Sequence, residues 1–300
     1  MDETLATVVL PAALAVIMLG LGLDLRPADF RRLVHYPRAA LLCMGFQLLL
    51  MPLVCFGLVH LFGLAPGLAV GMMLLAASPG GTTSGLYTHL FHGNVALSIT
   101  LTAVNSVIAV VTMPLVVNIS LVYFAGDDGA LGLQFDKVLQ VFFVVLTPVA
   151  IGMVIRHMRP HFASRMDKPV RVASILVLAG VIIGALLAER DNLFDYLAAV
   201  GLAVLAFNVL NLVVGYAVPR MAGVRRANAV TCSFEIGLHN STLAMAIALS
   251  PALLNSTEMA IPAAVYGVVM FFTATAAGFL MRRGPVAEAP ASHDEPRPAP

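Results

Sequence analysis

The chain has no tryptophan in its 300 residues and little charge: Asp, Glu, Lys and Arg together make up 11% of it. A soluble domain carries nearer ~25%, so the composition excludes an ordinary water-soluble fold. With 60% hydrophobic residues and a mean hydropathy of +0.93, the chain reads as a polytopic membrane protein whose main partner is the lipid bilayer. A net charge of +1 gives no reason to expect nucleic acid binding. Cysteine is also sparse. Cys43, Cys55 and Cys232 all lie in apolar runs. Along one helix Cys43 and Cys55 would be about 18 Å apart, too far for a disulfide, so all three are expected as buried small apolar residues. No zinc-ligand spacing, phosphate-binding loop, nucleophile elbow or dinucleotide fingerprint is found, which argues against an ATPase or a soluble-type enzyme.

What is present is long apolar runs. A spanning helix needs about 20 such residues. Nine runs qualify, near 5–23, 38–62, 66–90, 95–117, 138–158, 170–188, 196–218, 227–250 and 260–281. The first follows Asp2 and Glu3 instead of a basic segment, so it is expected to be a retained span and not a signal peptide. The connections alternate in charge. Arg26, Arg31, Arg32 and Arg38 precede the second run; Asp127, Asp128 and Asp136 precede the fifth. Arg156, Arg159, Arg165, Lys168 and Arg171 follow the fifth, and Arg220, Arg225 and Arg226 follow the seventh. Basic residues collect on the cytoplasmic side, so the N-terminus is expected outside and the C-terminus inside, in a bacterial plasma membrane. The Pro- and Ala-rich tail, 284–300, is expected to be disordered and cytoplasmic.

Two runs contain sequences that a plain helix would not carry. Residues 78–85 read SPGGTTSG, where Pro79 removes a backbone donor and two glycines weaken the helix. Residues 234–241 read FEIGLHNS, with a carboxylate, an imidazole and an amide around one glycine. A charge at mid-membrane depth costs at least ~2.5–3.5 kcal/mol and usually faces a cavity or an ion path. An interrupted helix is tolerated only where protein or water covers its backbone. Each broken run is third in a set of four, and the two sets start on opposite sides. This predicts an all-α transporter with inverted repeats, 1–137 and 170–283, about an extra span and loop at 138–169. In such folds two discontinuous helices form the site near the midplane.

Several polar residues lie inside the runs. Glu235 reads as a cation ligand or a proton carrier. Gln47 is either interhelical glue or a cation ligand. Ser98, Thr102 and Asn105 recur at helical spacing and present three oxygens on one face, although Ser and Thr also back-bond to their own helix. Asn240 and Ser241 could cap a half-helix, bind substrate, or both. His239 is either a packing residue or, with Glu235, part of a proton relay. His60, His89, His92, His157 and His161 fall at span ends or loops and read as solvated. Asn208 and Asn211 read as structural.

Residues 78–84 (SPGGTTS), 93–98 (GNVALS) and 235–241 (EIGLHNS), with 20–30 (GLGLDLRPADF) near the start, resemble the bile acid:sodium symporter family in a nine-span form. The resemblance implies a core domain with two crossing broken helices, a flatter panel domain, and carriage of small organic anions driven by two sodium ions; the departures at Gly85 and His239 leave one or two for this chain. Carried over by position, Ser84, Ser98, Thr102 and Glu235 would hold one sodium, with Asn105 one turn further along. Gln47, Glu235, the carbonyls of Ile236 and Leu238, and His239 would hold another. Thr82 and Thr83, with Asn240 and Ser241, would face the substrate. The sequence departs from the family pattern at Gly85, where Asn is usual, at His239, where Gln is usual, and at Val269-Met270-Phe271, where a polar pair is common. The first two departures each remove an amide oxygen, which leaves proton coupling through Glu235 and His239, or ligand binding without transport, as alternatives. An intramembrane enzyme using Ser84 or Ser241 as nucleophile gives the paired breaks no purpose.

Overall fold

A computed structural model describes residues 33–124, 135–166, 193–250 and 253–283, with 169, 172 and parts of 15–23. The expected first and sixth spans, the acidic loop at 125–134 and the tail lie largely or wholly outside the described residues. The described chain is helical, and four of its helices are long and apolar enough to cross a membrane. It is an all-α, integral membrane protein. Helix α1 covers Pro37–Leu61, α2 Pro66–Ala77, α3 Thr82–Leu90, α4 Val95–Phe124 and α5 Phe135–Met158. Helix α6 covers Leu193–Met221, α7 Arg226–Gly237, α8 Ser241–Leu249 and α9 Thr257–Arg283.

Each expected run within the described residues is helical, two of them interrupted. The fourth and seventh are longer than hydropathy alone suggests, since α4 continues to Phe124 and α6 reaches Met221. Their ends carry aromatic and basic residues suited to the membrane interface. Four of the five histidines expected to be solvated lie at helix ends or in short connections, and all five are exposed: His60, His89, His92, His157 and His161. All three cysteines are buried free thiols.

Both expected breaks are present, and the sequence explains each. Ser78 precedes Pro79 and adopts extended backbone (φ −70°, ψ 143°), the conformation a following proline imposes. Its hydroxyl turns back to donate to Leu75 O at 2.7 Å, which satisfies a carbonyl of the last turn. Gly80 and Gly81 follow before α3 starts at Thr82. In the second break α7 ends at Gly237, residues 238–240 are extended or irregular, and Asn240 caps α8 by accepting from Leu243 N at 3.0 Å. Glu235 and Ile236 therefore belong to the last turn of α7, and Ser84 and Gly85 belong to α3; the unwound residues are fewer than the motifs suggest.

The two breaks cross and pair. Gly81 N donates to Leu238 O at 3.0 Å, and Asn240 N donates to Pro79 O at 2.8 Å. Gly80 and His239 face one another as an antiparallel pair. This reciprocal pairing is how both unwound segments find partners where no water is at hand. Around it, α6 lies along α7, α9 along α8 and α2, and α4 along α2 and α3. Helix α1 contains a π-turn at Phe46–Leu50, where Met51 N reaches back to Phe46 O. Pro52 follows and cannot donate, so the ladder is already loosened there. The extra residue sets the direction of Gln47 toward the crossing, and such bulges favour functional positions.

Candidate functional site

Two polar clusters form on the crossing. The first surrounds Glu235, which is 1% exposed. Its Oε2 accepts from Ser84 Oγ at 2.7 Å and from Ser98 Oγ at 3.2 Å; its Oε1 accepts from Thr102 Oγ1 at 2.6 Å. Three helices supply these groups: α7 the carboxylate, α3 one hydroxyl, α4 the other two. Ser98 and Thr102 are four residues apart, so α4 presents both on one face. Asn105, a turn further on, is buried, and its Oδ1 has no hydrogen-bond partner. The Gly81 carbonyl lies 2.8 Å from Ser84 Oγ, an alternative acceptor for its single proton. Gly80 makes the approach possible, because a Cβ there would overlap Glu235 Oε1. At Gly85 a Cβ would lie 3.9 Å from Ser98 Oγ, so the missing side chain leaves room beside the cluster.

The second cluster surrounds His239, which is 2% exposed. Nδ1 lies 3.0 Å from Ser78 O, and Nε2 lies 3.1 Å from Asn211 Nδ2. A carbonyl can only accept and an amide nitrogen only donate, so the Ser78 and Asn211 contacts place the proton on Nδ1 and make Nε2 the acceptor; Gln47 Nε2, 3.3 Å from Nδ1, then directs its hydrogen to Ser78 O instead of the ring. The ring stacks on Phe207 (centroids 5.6 Å, 21° between planes) and meets Tyr266 edge-on at 5.5 Å. Gln47 Nε2 donates to the same Ser78 O at 3.1 Å. Nearby, Gly237 O at the end of α7 accepts from Asn208 Nδ2 at 2.8 Å and Tyr266 Oη at 2.9 Å.

The structure thus brings Ser84, Ser98, Thr102 and Glu235 into contact and places Gln47 beside His239. It does not join Glu235 to His239. The break at Leu238 sends the imidazole toward α6 and the carboxylate toward α3 and α4, although the two residues are one turn apart in number. Leu238 gives its carbonyl to Gly81, and Ile236 sits within α7. Thr83 and Asn240 are half-buried and Ser241 is buried beside Gly267; the side chain of Thr82 lies outside the described residues. Asn208 and Asn211, expected as structural, make structural hydrogen bonds here from one face of an otherwise apolar helix; Tyr266 is the one participant not singled out from sequence. Asn208 also accepts from Thr273 Oγ1 of α9. Replacing Asn208 with Leu removes both contacts; the expected cost is about 1–2 kcal/mol, read as a lower melting temperature of the purified protein.

A buried carboxylate ringed by hydroxyls, at the crossing of two discontinuous helices, defines a polytopic secondary transporter and not an enzyme. Residues 11–195 match the sequence profile of the Sodium Bile acid symporter family, and the chain belongs to that family of transporters. It is 28% identical over 257 residues to an uncharacterized sodium-dependent transporter, YocS, of Bacillus subtilis, a match covering 85% of this chain and 77% of the relative. It is 32% identical to a probable chloroplastic sodium/metabolite cotransporter, BASS1, of Arabidopsis thaliana, covering 85% of this chain but 62% of that longer protein. It is 29% identical over 243 residues to the human ileal sodium/bile acid cotransporter, covering 80% of this chain and 68% of the relative.

Proposed function

We propose that the chain carries a small organic anion, a carboxylate of the bile-acid or pantoate kind, together with sodium, by alternating access. The observation that carries this reading is the meeting of Glu235 with Ser84, Ser98 and Thr102 at the crossing. Hard cations take oxygen ligands, and this cluster offers a carboxylate and three hydroxyls, with the idle Asn105 oxygen a turn away. In the structure the hydroxyls donate to the carboxylate. Each is a rotor with lone pairs to spare, so a bound cation would take those lone pairs while the O–H groups turn to other acceptors. Ser84 already has one in Gly81 O.

The anion is assigned to the opposite ends of the same breaks. The N-termini of α3 and α8, at Thr82 and Thr83 and at Asn240 and Ser241, carry positive dipole ends, which suit a carboxylate, although the Asn240 and Ser241 N–H groups themselves donate to Pro79 O and His239 O. Val269 and Phe271 stand where a polar pair is common in the family, and their apolar side chains suit a hydrophobic substrate tail. In this reading the repeats 1–137 and 170–283 each give spans to both domains: spans two, three, four, seven, eight and nine form a core that holds the crossing, and this core moves against a panel of spans one, five and six. The N-terminus lies outside and the C-terminus in the cytoplasm of a bacterial inner membrane. The sodium dependence named in the relatives supports the choice of ion.

The test is uptake of labelled carboxylates into proteoliposomes under an inward sodium gradient. Uptake of at least one carboxylate is expected to stop when sodium is replaced by choline and to continue with a protonophore. Uptake that persists without sodium and collapses with the protonophore would replace sodium by a proton. The separate hydrogen-bond partners of Glu235 and His239 weigh against that second outcome.

A further inference from the structure

We infer that the crossing holds one sodium ion per chain, on the Glu235 side, and that His239 closes the other side to cations. The inference rests on the proposed function and concerns how many ions that function uses. The two sides differ in the sign of what they present. The Glu235 side is rich in acceptors: two carboxylate oxygens and three rotatable hydroxyls, with the unpaired Asn105 Oδ1 a turn away. The His239 side faces inward with N–H donors. Gln47 Nε2 and His239 Nδ1–H both point at Ser78 O, at 3.1 and 3.0 Å, so that carbonyl already accepts two hydrogen bonds. Asn211 Nδ2 occupies the lone pair of His239 Nε2 at 3.1 Å, so neither ring nitrogen is open to an ion. Gly237 O accepts two hydrogen bonds, from Asn208 and Tyr266, and Leu238 O accepts one, from Gly81 N.

Two oxygens of this cluster remain without partners, Gln47 Oε1 and Asn211 Oδ1. They belong to neutral amides whose N–H ends are committed to the crossing. A hard cation usually wants about six oxygens, and two without a carboxylate are a poor shell. The imidazole is also fixed in place: Phe207 stacks on one face and Tyr266 closes the edge. Its position as a donor, between four helices, does the work of holding the crossing that a bridging ion would otherwise do. His239 is therefore a positioning residue that also sets the ion count. One sodium with one monocarboxylate would make the cycle electroneutral.

The experiment is binding of radioactive sodium alone to the purified protein by scintillation proximity, with no substrate needed. One ion per chain and a Hill coefficient near 1 are expected. The His239→Gln variant places an amide where the imidazole stood and frees the partners of its two nitrogens; its stoichiometry is expected to rise toward two ions per chain. Two ions, or a Hill coefficient near 2, in the unaltered protein overturns the inference and leaves sodium coupling intact. No sodium binding at all overturns the proposed function and this inference with it. A folded His239→Gln protein that still binds one ion removes His239 as the cause. If that variant does not fold, the count on the unaltered protein decides the matter.

Discussion

Replacing Glu235 with Gln is expected to abolish sodium-driven uptake and the rise in melting temperature that sodium gives the purified protein. A ligand that binds only the folded state stabilises it by mass action, by about 2.7 kcal/mol at 100 times its dissociation constant. That shift should be clear in the unaltered protein and missing from the variant. Removing one member of a buried charge pair costs about 3–5 kcal/mol. At ~1.4 kcal/mol per decade, sodium affinity should fall by roughly 100-fold or more. The fold itself should survive, because the amide keeps the shape of the carboxyl. Its Oε1 can still accept from the surrounding hydroxyls, and its nitrogen can donate to one of them. A variant that shifts with sodium like the unaltered protein would show that Glu235 is not an ion ligand, however well the hydroxyls surround it.

The second large effect is expected at Gly80, with Gly81 as the comparison. A Cβ at position 80 would overlap Glu235 Oε1, with the carboxyl carbon at 2.9 Å and the Glu235 carbonyl oxygen at 3.1 Å. At position 81 the nearest atoms are 3.8 Å away. Gly81 also has extended backbone (φ −96°, ψ 170°), which any residue adopts. Gly80→Ala must therefore push the carboxylate or the crossing aside. Overpacking of this kind costs about 1–3 kcal/mol, and it acts on the one side chain that the ion requires. Gly80→Ala is expected both to lower the melting temperature and to remove most of the sodium-induced shift. Gly81→Ala is expected to leave the sodium shift in place. Equal behaviour of the two variants would mean that the close approach of Gly80 to Glu235 has no part in ion binding.

Taken together, the two variants separate chemistry from geometry. Glu235→Gln changes the charge and leaves the space as it was. Gly80→Ala leaves the charge and changes the space. If both lose the sodium response while Gly81→Ala keeps it, the response depends on a carboxylate held at a fixed distance from a backbone that only glycine permits.

How much of this could be read without coordinates depends on whether the signal is local. Hydrophobic run length is local, and it placed α1, α4, α6 and α9 within a few residues. Proline and glycine act on the next residue or turn, so SPGG and the glycine before LHN marked both breaks. The periodicity of a single helix is also local. It put Ser98, Thr102 and Asn105 on one face, and the same rule would have paired Asn208 with Asn211. Lipid excludes unpaired charge, so Glu235 stood out in sequence as a residue needing a partner.

Which partner it has is not local. Ser84 and Glu235 are separated by 151 positions, and nothing in either motif states that Gly81 N will reach Leu238 O or that Asn240 N will reach Pro79 O. Those bonds follow from the packing of whole helices, which brings two unwound backbones together because neither has water to turn to. The same packing decided the direction of His239. In sequence it stands one turn from Glu235 and invites pairing with it. In the fold the chain leaves the helix at Leu238, and the ring goes instead to Ser78, Asn211 and Phe207. By itself the sequence determined an all-α membrane chain with two breaks and one carboxylate deep inside a span. Only the tertiary structure decided that the breaks cross, that hydroxyls from α3 and α4 close on Glu235, and that the histidine faces away from it, because each depends on where distant helices meet.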